Sequence, residues 1–288
     1  MNHIYEEKRS QNGSKDMIKE GVKKNPAVAF FLITYVFSWG IWLPVLIKGL
    51  GLNNTMYTIL NVIGGFGPSL AGAILVQISD GWSGVKKLLI SGFDVRGMSL
   101  SWMVIMLLIF PILNLGYVLV SWVVFRALPE VIPMDMIIMI LYPLAFLFPL
   151  GNQWREEYGW RGFAQPLLQR KYGAFKSSIV IGALWGLWHL PLFYFPTSQA
   201  VYARTNIVFF IIKLIALSLI MTWMLNGSGR LVTATIAHFL AGAIDFFVVK
   251  SSTPYGELIY VGIEIALIVF LIQKYGTEKM ANNERLKI

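Results

Sequence analysis

The chain contains no cysteine, only three histidines and few charged residues. Without cysteine it can form no disulfide, no thiolate nucleophile and no Cys-ligated zinc site. Only 14% of its 288 residues are charged, whereas 56% are hydrophobic and the mean hydropathy is +0.64. The core of a soluble domain does not need that much apolar surface, so the composition is typical of a membrane protein.

The formal net charge of +9 raises the question of an anionic partner. Lysine and arginine cluster where the apolar runs end, and this pattern favours the anionic surface of a lipid bilayer. We therefore predict contact with the lipid bilayer and no binding of nucleic acid.

Apolar runs of the length needed to cross a bilayer recur along the chain. They predict an all-α polytopic membrane protein with about eight transmembrane helices. The predicted spans are Ala27 to Ile47, Met56 to Ile78, Trp102 to Phe125, Met136 to about Gln153, Phe175 to Phe195, Ile207 to Leu225, Leu231 to Val249 and Leu258 to Ile272.

The distribution of basic residues predicts both termini in the cytoplasm and an even number of spans. Residues 1–25 form a basic tail without the features of a signal peptide, 26–274 the transmembrane domain, and 275–288 a second tail. The loops assigned to the cytoplasm carry most of the positive charge, namely Lys86, Lys87, Arg96, Arg155, Arg161, Arg170, Lys171, Arg230 and Lys274. The membrane is predicted to be a bacterial plasma membrane.

The sequence Glu156-Glu157, followed by Arg161, is the most informative pattern in the chain. Ionisable side chains at membrane depth are costly, so several together indicate a functional site. On a helix, Glu157 lies one turn before Arg161, the order that favours an ion pair. Glu156 is turned about 100° away and stays available as a general base. A polar cluster that only fastens a helix end is the alternative interpretation.

Two of the three histidines lie within apolar segments. His189 precedes Pro191, which interrupts helical hydrogen bonding beside the ring. His238 lies in a segment rich in small residues, which suits close helix packing. A hydrogen bond between helices explains either histidine alone, but two of them after a Glu pair indicate one shared site.

Counting residues along the predicted spans places the two histidines at different depths in the membrane. His189 lies about 20 Å from the inner end of its predicted span, and His238 about 12 Å. Convergence therefore requires a tilted or later fifth span, or a Glu segment that dips into the membrane.

Taken together, these residues resemble the CPBP family, the CAAX prenyl endopeptidase and bacteriocin-processing (Abi) intramembrane proteases. The family has three motifs on successive membrane segments, EExxxR, FxxxH and HxxxN or HxxxD. The first motif is matched in full, by Glu156, Glu157 and Arg161. The second is matched by Trp185 and His189, with Trp in place of Phe.

The third motif is only half present. His238 is followed by Gly242 where the family has Asn or Asp, and the resemblance covers roughly Gly151 to Asp245. A missing oxyanion donor typically costs about a hundredfold to a thousandfold in rate. Asp245 returns to nearly the same helix face as His238, but about 10 Å further along, so we do not expect it to replace the Asn directly.

The resemblance implies hydrolysis of a peptide bond within a membrane cavity that opens to the cytoplasmic side. It implies Glu156 as the base, His189 as its partner and His238 as the oxyanion donor. Glu157 and Arg161 are expected to support the site, and Trp185 and Asp245 are assigned to it as further supporting residues. The expected partner is a membrane-embedded, membrane-associated or lipidated peptide, and nothing in the sequence selects one.

No cofactor is expected. Glu156, His189 and His238 could in principle hold zinc with a water as fourth ligand. They come from three spans without HExxH spacing, and the family resemblance implies a glutamate-dependent reaction without metal.

Two other functions stay open at this point. Gly242 allows a catalytically weak or inactive relative that acts as a membrane scaffold or bacteriocin-immunity partner. Helix-breaking residues such as Gly64, Pro68 and Pro111, with Lys213 inside a span, allow a transporter. Lys213 can equally pair with a carboxylate such as Glu264.

Overall fold

The structure is a computed structural model that describes residues 20–22, 24–48, 52–131, 151–196, 202, 205–250 and 255–282. Helices make up most of this part of the chain. In chain order they are α1 Pro26–Lys48, α2 Asn54–Gly65, α3 Gly67–Ser91, α4 Leu100–Phe125, α5 Asn152–Gly159, α6 Gln165–Trp188, α7 Ile207–Ser228, α8 Leu231–Phe247 and α9 Gly256–Tyr275.

Three short elements complete the description. The π-helical turn Trp160–Ala164 joins α5 to α6, and the 3₁₀ turn Leu190–Phe193 follows α6. The strands β1, Glu130–Val131, and β2, Val248–Val249, pair in antiparallel fashion, with Glu130 opposite Val249. The β pair ties the end of α4 to the end of α8.

Local sequence signals set several helix boundaries. Asn53 and Asn206 cap α2 and α7, since their side chains accept from the amides of Met56 at 2.9 Å and Val208 at 2.8 Å. Such caps satisfy amide groups that the first helical turn leaves unpaired. Gly229 ends α7 in the left-handed region at φ +67°, where glycine carries no steric penalty.

The all-α membrane architecture predicted from the sequence is confirmed. Among the described residues, five segments are long and apolar enough to cross a bilayer: Pro26–Ile47, Asn54–Ser91, Leu100–Phe125, Ile207–Ser228 and Gly256–Tyr275. The segment Leu231–Asp245 is a shorter apolar helix. Large apolar side chains such as Leu32, Val36 and Val123 are exposed on the outside of the bundle, as lipid contact requires.

Two of the predicted spans differ in the structure. The predicted fourth span, Met136 to Gln153, lies almost entirely outside the described residues. The fifth was predicted to run to Phe195, but α6 ends at Trp188 and a 3₁₀ turn follows. Pro191 explains this early end, because it has no amide hydrogen to continue the helix.

The stretch that carries the Glu pair was counted with the cytoplasmic loop charges, although its spacing was interpreted on a helix, and the structure shows a helix. Residues 152–172 are helical throughout, and both Arg155 and Arg161 are buried. Arg155 donates to the carbonyl oxygen of Val62 at 2.9 Å. These two arginines therefore do not belong in the count of loop charges that oriented the chain.

The chain reverses direction at Gly173, within α6. This residue has φ +73° and ψ 169°, a conformation open mainly to glycine. Gln165 Nε2 donates to Ser177 Oγ at 3.2 Å across the bend. In a straight helix these residues would be about 18 Å apart, so residues 152–172 and 174–188 form two antiparallel arms.

The first arm packs tightly on α3. A Cβ atom added to Gly159 would lie 2.2 Å from the carbonyl oxygen of Pro68. Only glycine permits this approach of two helix backbones. The close contact holds the helix that carries the Glu pair inside the bundle.

Candidate active site

The bend at Gly173 brings the first two motifs together. Glu156 lies 17 residues before Gly173 and His189 lies 16 residues after it. Along helices these separations correspond to about 25 Å and 24 Å. The two side chains therefore reach the same level on neighbouring arms.

His238 reaches this level because α8 starts far from the bend. Leu231, the first residue of α8, packs against Gly162, which lies about 16 Å from Gly173 along the first arm. Seven further residues add about 10 Å. The mismatch in depth thus disappears, because the Glu segment is itself a helix within the bundle.

Glu157 and Arg161 form the buried pair that the sequence predicts. Arg161 Nη1 donates to Glu157 Oε1 at 3.1 Å, and the two side chains are 0% and 1% exposed. The same Oε1 lies 2.8 Å from His238 Nδ1. Because a carboxylate only accepts, His238 donates through Nδ1, and its Nε2 is the free ring nitrogen. Glu157 thus orients the third-motif histidine as well as neutralising Arg161.

Glu156 is held by Trp185 and faces His189. The indole Nε1 of Trp185 donates to Glu156 Oε2 at 2.6 Å. His189 Nε2 lies 3.9 Å from the same oxygen. This gap is too long for a direct hydrogen bond, and it suits a water that contacts both groups. Glu156 is therefore buried and hydrogen-bonded to Trp185, a contact that the sequence did not predict.

The tautomer of His189 follows from its backbone contact. Its Nδ1 lies 2.7 Å from the carbonyl oxygen of Trp185, which can only accept. Nδ1 therefore carries the hydrogen, and in the neutral ring Nε2 is unprotonated and points toward Glu156. Phe210 and Tyr202 pack against the ring, with centroids 5.3 Å and 6.2 Å away.

Trp185 contacts the Arg161 and His238 side of the site as well as Glu156. Its ring lies 4.2 Å from the guanidinium carbon of Arg161 and 5.1 Å from the centroid of His238, edge to face. The replacement of the family's Phe by Trp adds one polar group, the indole N–H that Glu156 accepts.

A cavity of about 530 Å³ exposes part of this cluster. Its wall includes Glu156, Trp185, His189 and His238, whereas Glu157 and Arg161 lie behind it. The structure thus brings the three predicted catalytic residues to one cavity and leaves their two supporting residues buried.

The wall continues along α8 past the third motif. Gly242 lines the cavity, and a Cβ atom added there would meet no described atom within 4 Å. Asp245 lines it too, but both of its carboxylate oxygens bind lysines, Lys213 and Lys250. Gly242 therefore faces open space and not a close helix contact.

Sequence reasoning missed several of these contacts. Tyr202 and Phe210 gave no signal, because aromatic residues in apolar runs are usually packing residues. Lys213 does pair with a carboxylate, but with Asp245 and not with Glu264, the example given from the sequence. Asp245 also pairs with Lys250, five residues later, across the end of α8. The pair with Lys213 joins two different helices, and sequence spacing alone does not reveal it.

The described residues contain no group of three His, Asp or Glu side chains placed to hold a metal ion. Glu156 already accepts from Trp185, and His238 already donates to Glu157. The donor set here is arranged for hydrogen bonding and proton transfer.

A buried carboxylate beside two imidazoles, in a cavity within a helical membrane bundle, defines a membrane-embedded hydrolase. The family model described as "Type II CAAX prenyl endopeptidase Rce1-like" matches residues 100–244, which include Glu156, His189 and His238. The chain belongs to this family, and it is accordingly an integral membrane protease.

A curated relative agrees with this assignment. The "CAAX prenyl protease 2" of Methanococcus maripaludis is 26% identical over 234 residues, which are 76% of this chain and 83% of the relative. The resemblance to CPBP proteases seen in the motifs is therefore confirmed at the level of the family.

Proposed function

We propose that this protease hydrolyses its substrate with a water that Glu156 activates. The observation that carries this proposal is the geometry around Glu156 Oε2, which Trp185 holds at 2.6 Å and which faces His189 Nε2 at 3.9 Å. A water between the carboxylate and the imidazole would lie within reach of both. Glu156 and His189 are the groups to which we assign its activation.

In the proposed reaction, Glu156 removes a proton from the water as the water oxygen attacks the peptide carbonyl carbon. The resulting tetrahedral intermediate carries its negative charge on the former carbonyl oxygen. Glu156 then returns the proton to the leaving nitrogen as the C–N bond breaks. The products are a free carboxylate and a free amine, and no metal or cofactor takes part in these steps.

We assign His238 to the intermediate's oxyanion. Its Nδ1 is fixed by Glu157, so a protonated ring would present Nε2–H to the cavity. The carboxylate of Glu157 accepts from both Arg161 and His238, so it would stabilise the positive charge that the ring gains. Gly242 supplies no second side-chain donor, so we expect slower turnover than an Asn at this position would give.

We propose a prenylated C-terminal peptide as the substrate. The M. maripaludis relative is named for a CAAX prenyl protease activity. A CAAX sequence ends the chain with a lipid-bearing cysteine, two aliphatic residues and a variable residue. The cavity wall is largely apolar, with Leu214, Leu217 and Phe239 among its residues, as aliphatic side chains require.

We also propose that the end of the bundle at Gly173 faces the cytoplasm. Exposed basic residues concentrate there, including Lys171 beside the bend. The cavity lies toward the opposite end, because Thr205 and Glu257 line it at the starts of α7 and α9. A site open to the cytoplasm would then need an access route between helices.

The absence of cysteine makes this orientation easy to test. Single-cysteine variants Tyr172→Cys and Leu128→Cys replace exposed side chains at opposite ends. A membrane-impermeant maleimide added to intact cells should label Leu128→Cys but not Tyr172→Cys. The reverse pattern would contradict the proposed orientation.

The catalytic proposal is tested by two substitutions in the cavity wall. We expect Glu156→Gln to lower turnover of a fluorogenic prenylated peptide by at least about a hundredfold, with an unchanged melting temperature. Gly242→Asn should raise turnover, up to about a hundredfold, because the added side chain meets open space.

Both variants should be compared with wild type in the same detergent or nanodisc. Full activity in Glu156→Gln would refute its role as base. Wild-type cleavage equal to that of Glu156→Gln, with no gain in a well-folded Gly242→Asn, would instead favour a silent relative that acts as a scaffold.

A further inference from the structure

A second polar group lies in the same cavity, away from the catalytic residues. Asp245 Oδ1 accepts from Lys250 Nζ at 2.5 Å, and Asp245 Oδ2 accepts from Lys213 Nζ. The side chain of Lys213 is 23% exposed and that of Lys250 is 6% exposed, and both line the cavity. We call these three residues the lysine triad.

The lysine triad stands at a defined distance from the catalytic level. Asp245 follows His238 by seven residues of α8, which is two helical turns and about 10 Å along the same face. Cavity residues between these levels are apolar or small, such as Ala241 and Gly242. The cavity thus presents an apolar stretch with hydrolytic groups at one end and ammonium groups at the other.

The donors of the triad suit an anion. A lysine ammonium has three donors, and the bond to Asp245 uses one of those on Lys213. Two ammonium groups share the carboxylate of Asp245, whereas Glu257 lines the same wall and the buried Glu264 lies on α9. These acidic groups offset the charge of the triad, so hydrogen bonding by Lys213, and not a net positive charge, is what would hold an anion.

We propose that Lys213, supported by Lys250, binds the free C-terminal α-carboxylate of the peptide substrate. This inference rests on the proposed function and takes the bond that is cut to be the one after the lipidated cysteine of a CAAX sequence. Up to three residues then separate the scissile bond from the terminal carboxylate. Extended, they span about 10 Å, the distance between His238 and Asp245 along α8.

The proposal explains why a charged triad is kept in an apolar cavity. The lysine triad would select substrates that have a free C-terminal carboxylate. The aliphatic residues of the substrate would lie along the apolar wall between the triad and the catalytic level. An internal peptide segment, or one whose C terminus is blocked, would bring no charge to Lys213. The enzyme should therefore prefer free C-terminal acids to the corresponding amides.

Binding can be measured without turnover. A fluorescent prenylated peptide with the C-terminal sequence Cys-Val-Ile-Met, as the acid and as the amide, is titrated into Glu156→Gln protein in nanodiscs, followed by fluorescence anisotropy. We expect the acid to bind about tenfold more tightly than the amide. Adding Lys213→Met should remove this preference, and Lys213→Arg should retain it.

The matched control is Lys274→Met, which removes an exposed lysine near the end of α9, outside the cavity wall. It should keep the full preference for the acid, and melting temperatures verify folding. Equal binding of acid and amide to the Glu156→Gln protein, no binding of either, or a preference that survives Lys213→Met would overturn the proposal. A preference that depends on Lys213, found with a wild-type protein that cleaves neither peptide, would support the carboxylate site and refute the proposed catalysis.

Discussion

Two arginine–carboxylate pairs in this molecule have the same chemistry and opposite surroundings. Arg161 and Glu157 are 0% and 1% exposed within the bundle, whereas Arg96 and Asp94 are 81% and 13% exposed in the loop before α4. Their N–O distances are similar, 3.1 Å and 2.8 Å. Distance alone therefore says little about what each pair contributes.

The difference lies in what each pair leaves behind when one partner is removed. Water replaces a lost partner in the loop, so an exposed pair contributes little. Inside the bundle no water replaces Glu157, and Arg161 would be left as an uncompensated charge. The buried pair also orients His238, so it links the stability of the bundle to the geometry of the site.

The largest expected effect comes from breaking the buried pair. Glu157→Gln should lower the free energy of unfolding by about 3–5 kcal/mol, because Arg161 then carries a buried charge without a counterion. Denaturant unfolding in detergent micelles measures it. Turnover should fall as well, since His238 loses its charged partner. A loss below about 1 kcal/mol would mean that the two pairs are equivalent after all.

A smaller effect is expected at Trp185, which lies between the buried pair and Glu156, the carboxylate that we propose as the base. Trp185→Phe keeps an aromatic ring against Arg161 but removes the indole N–H that Glu156 accepts. We expect kcat to fall about tenfold with little change in stability. Trp223→Phe is the control, since that indole N–H has no hydrogen-bond partner among the described atoms. Equal effects of the two substitutions would remove the special role of Trp185.

The smallest effect is expected at the exposed pair. The side-chain hydrogen bond from Arg96 lowers the pKa of Asp94 to about 2, with Arg230 contributing through its charge. The contribution of this lowered pKa is present above the ordinary value of 3.8 and is lost as the pH falls toward 2. Asp94→Asn should therefore cost less than about 1 kcal/mol at pH 7.

Unfolding of wild type and Asp94→Asn at pH 7 and pH 2.5 measures this contribution. The difference between the two proteins should shrink at the lower pH, and high salt should reduce it at pH 7. A difference that grows on acidification would contradict the assignment.

The residues that gather at the cavity could be singled out from the sequence because they lie in short, recognisable spacings. Glu157 and Arg161 are one helical turn apart, and charged groups in apolar runs are conspicuous. Family membership followed from the same residues. The membrane class needed only composition and run length.

What the sequence could not supply was the path of the chain between the motifs. Arg155 was counted among the loop charges, because the carbonyl oxygen of Val62 that accepts from it is brought there by tertiary packing. The reversal at Gly173 depends on one backbone conformation, and glycine occurs at many other positions without such a bend. The lysine triad likewise depends on tertiary packing, which brings Lys213 of α7 to Asp245 of α8.

The lengths of the two arms that meet at Gly173 set the relative positions of Glu156 and His189. Glu156 and His189 face one another because nearly equal numbers of residues lead to them from the bend. One residue inserted into either arm would turn Glu156 or His189 by about 100° and move it about 1.5 Å. The length of the chain between these residues is therefore constrained, and variants with small insertions or deletions there should lose activity even where substitutions at exposed positions of the same arms are tolerated.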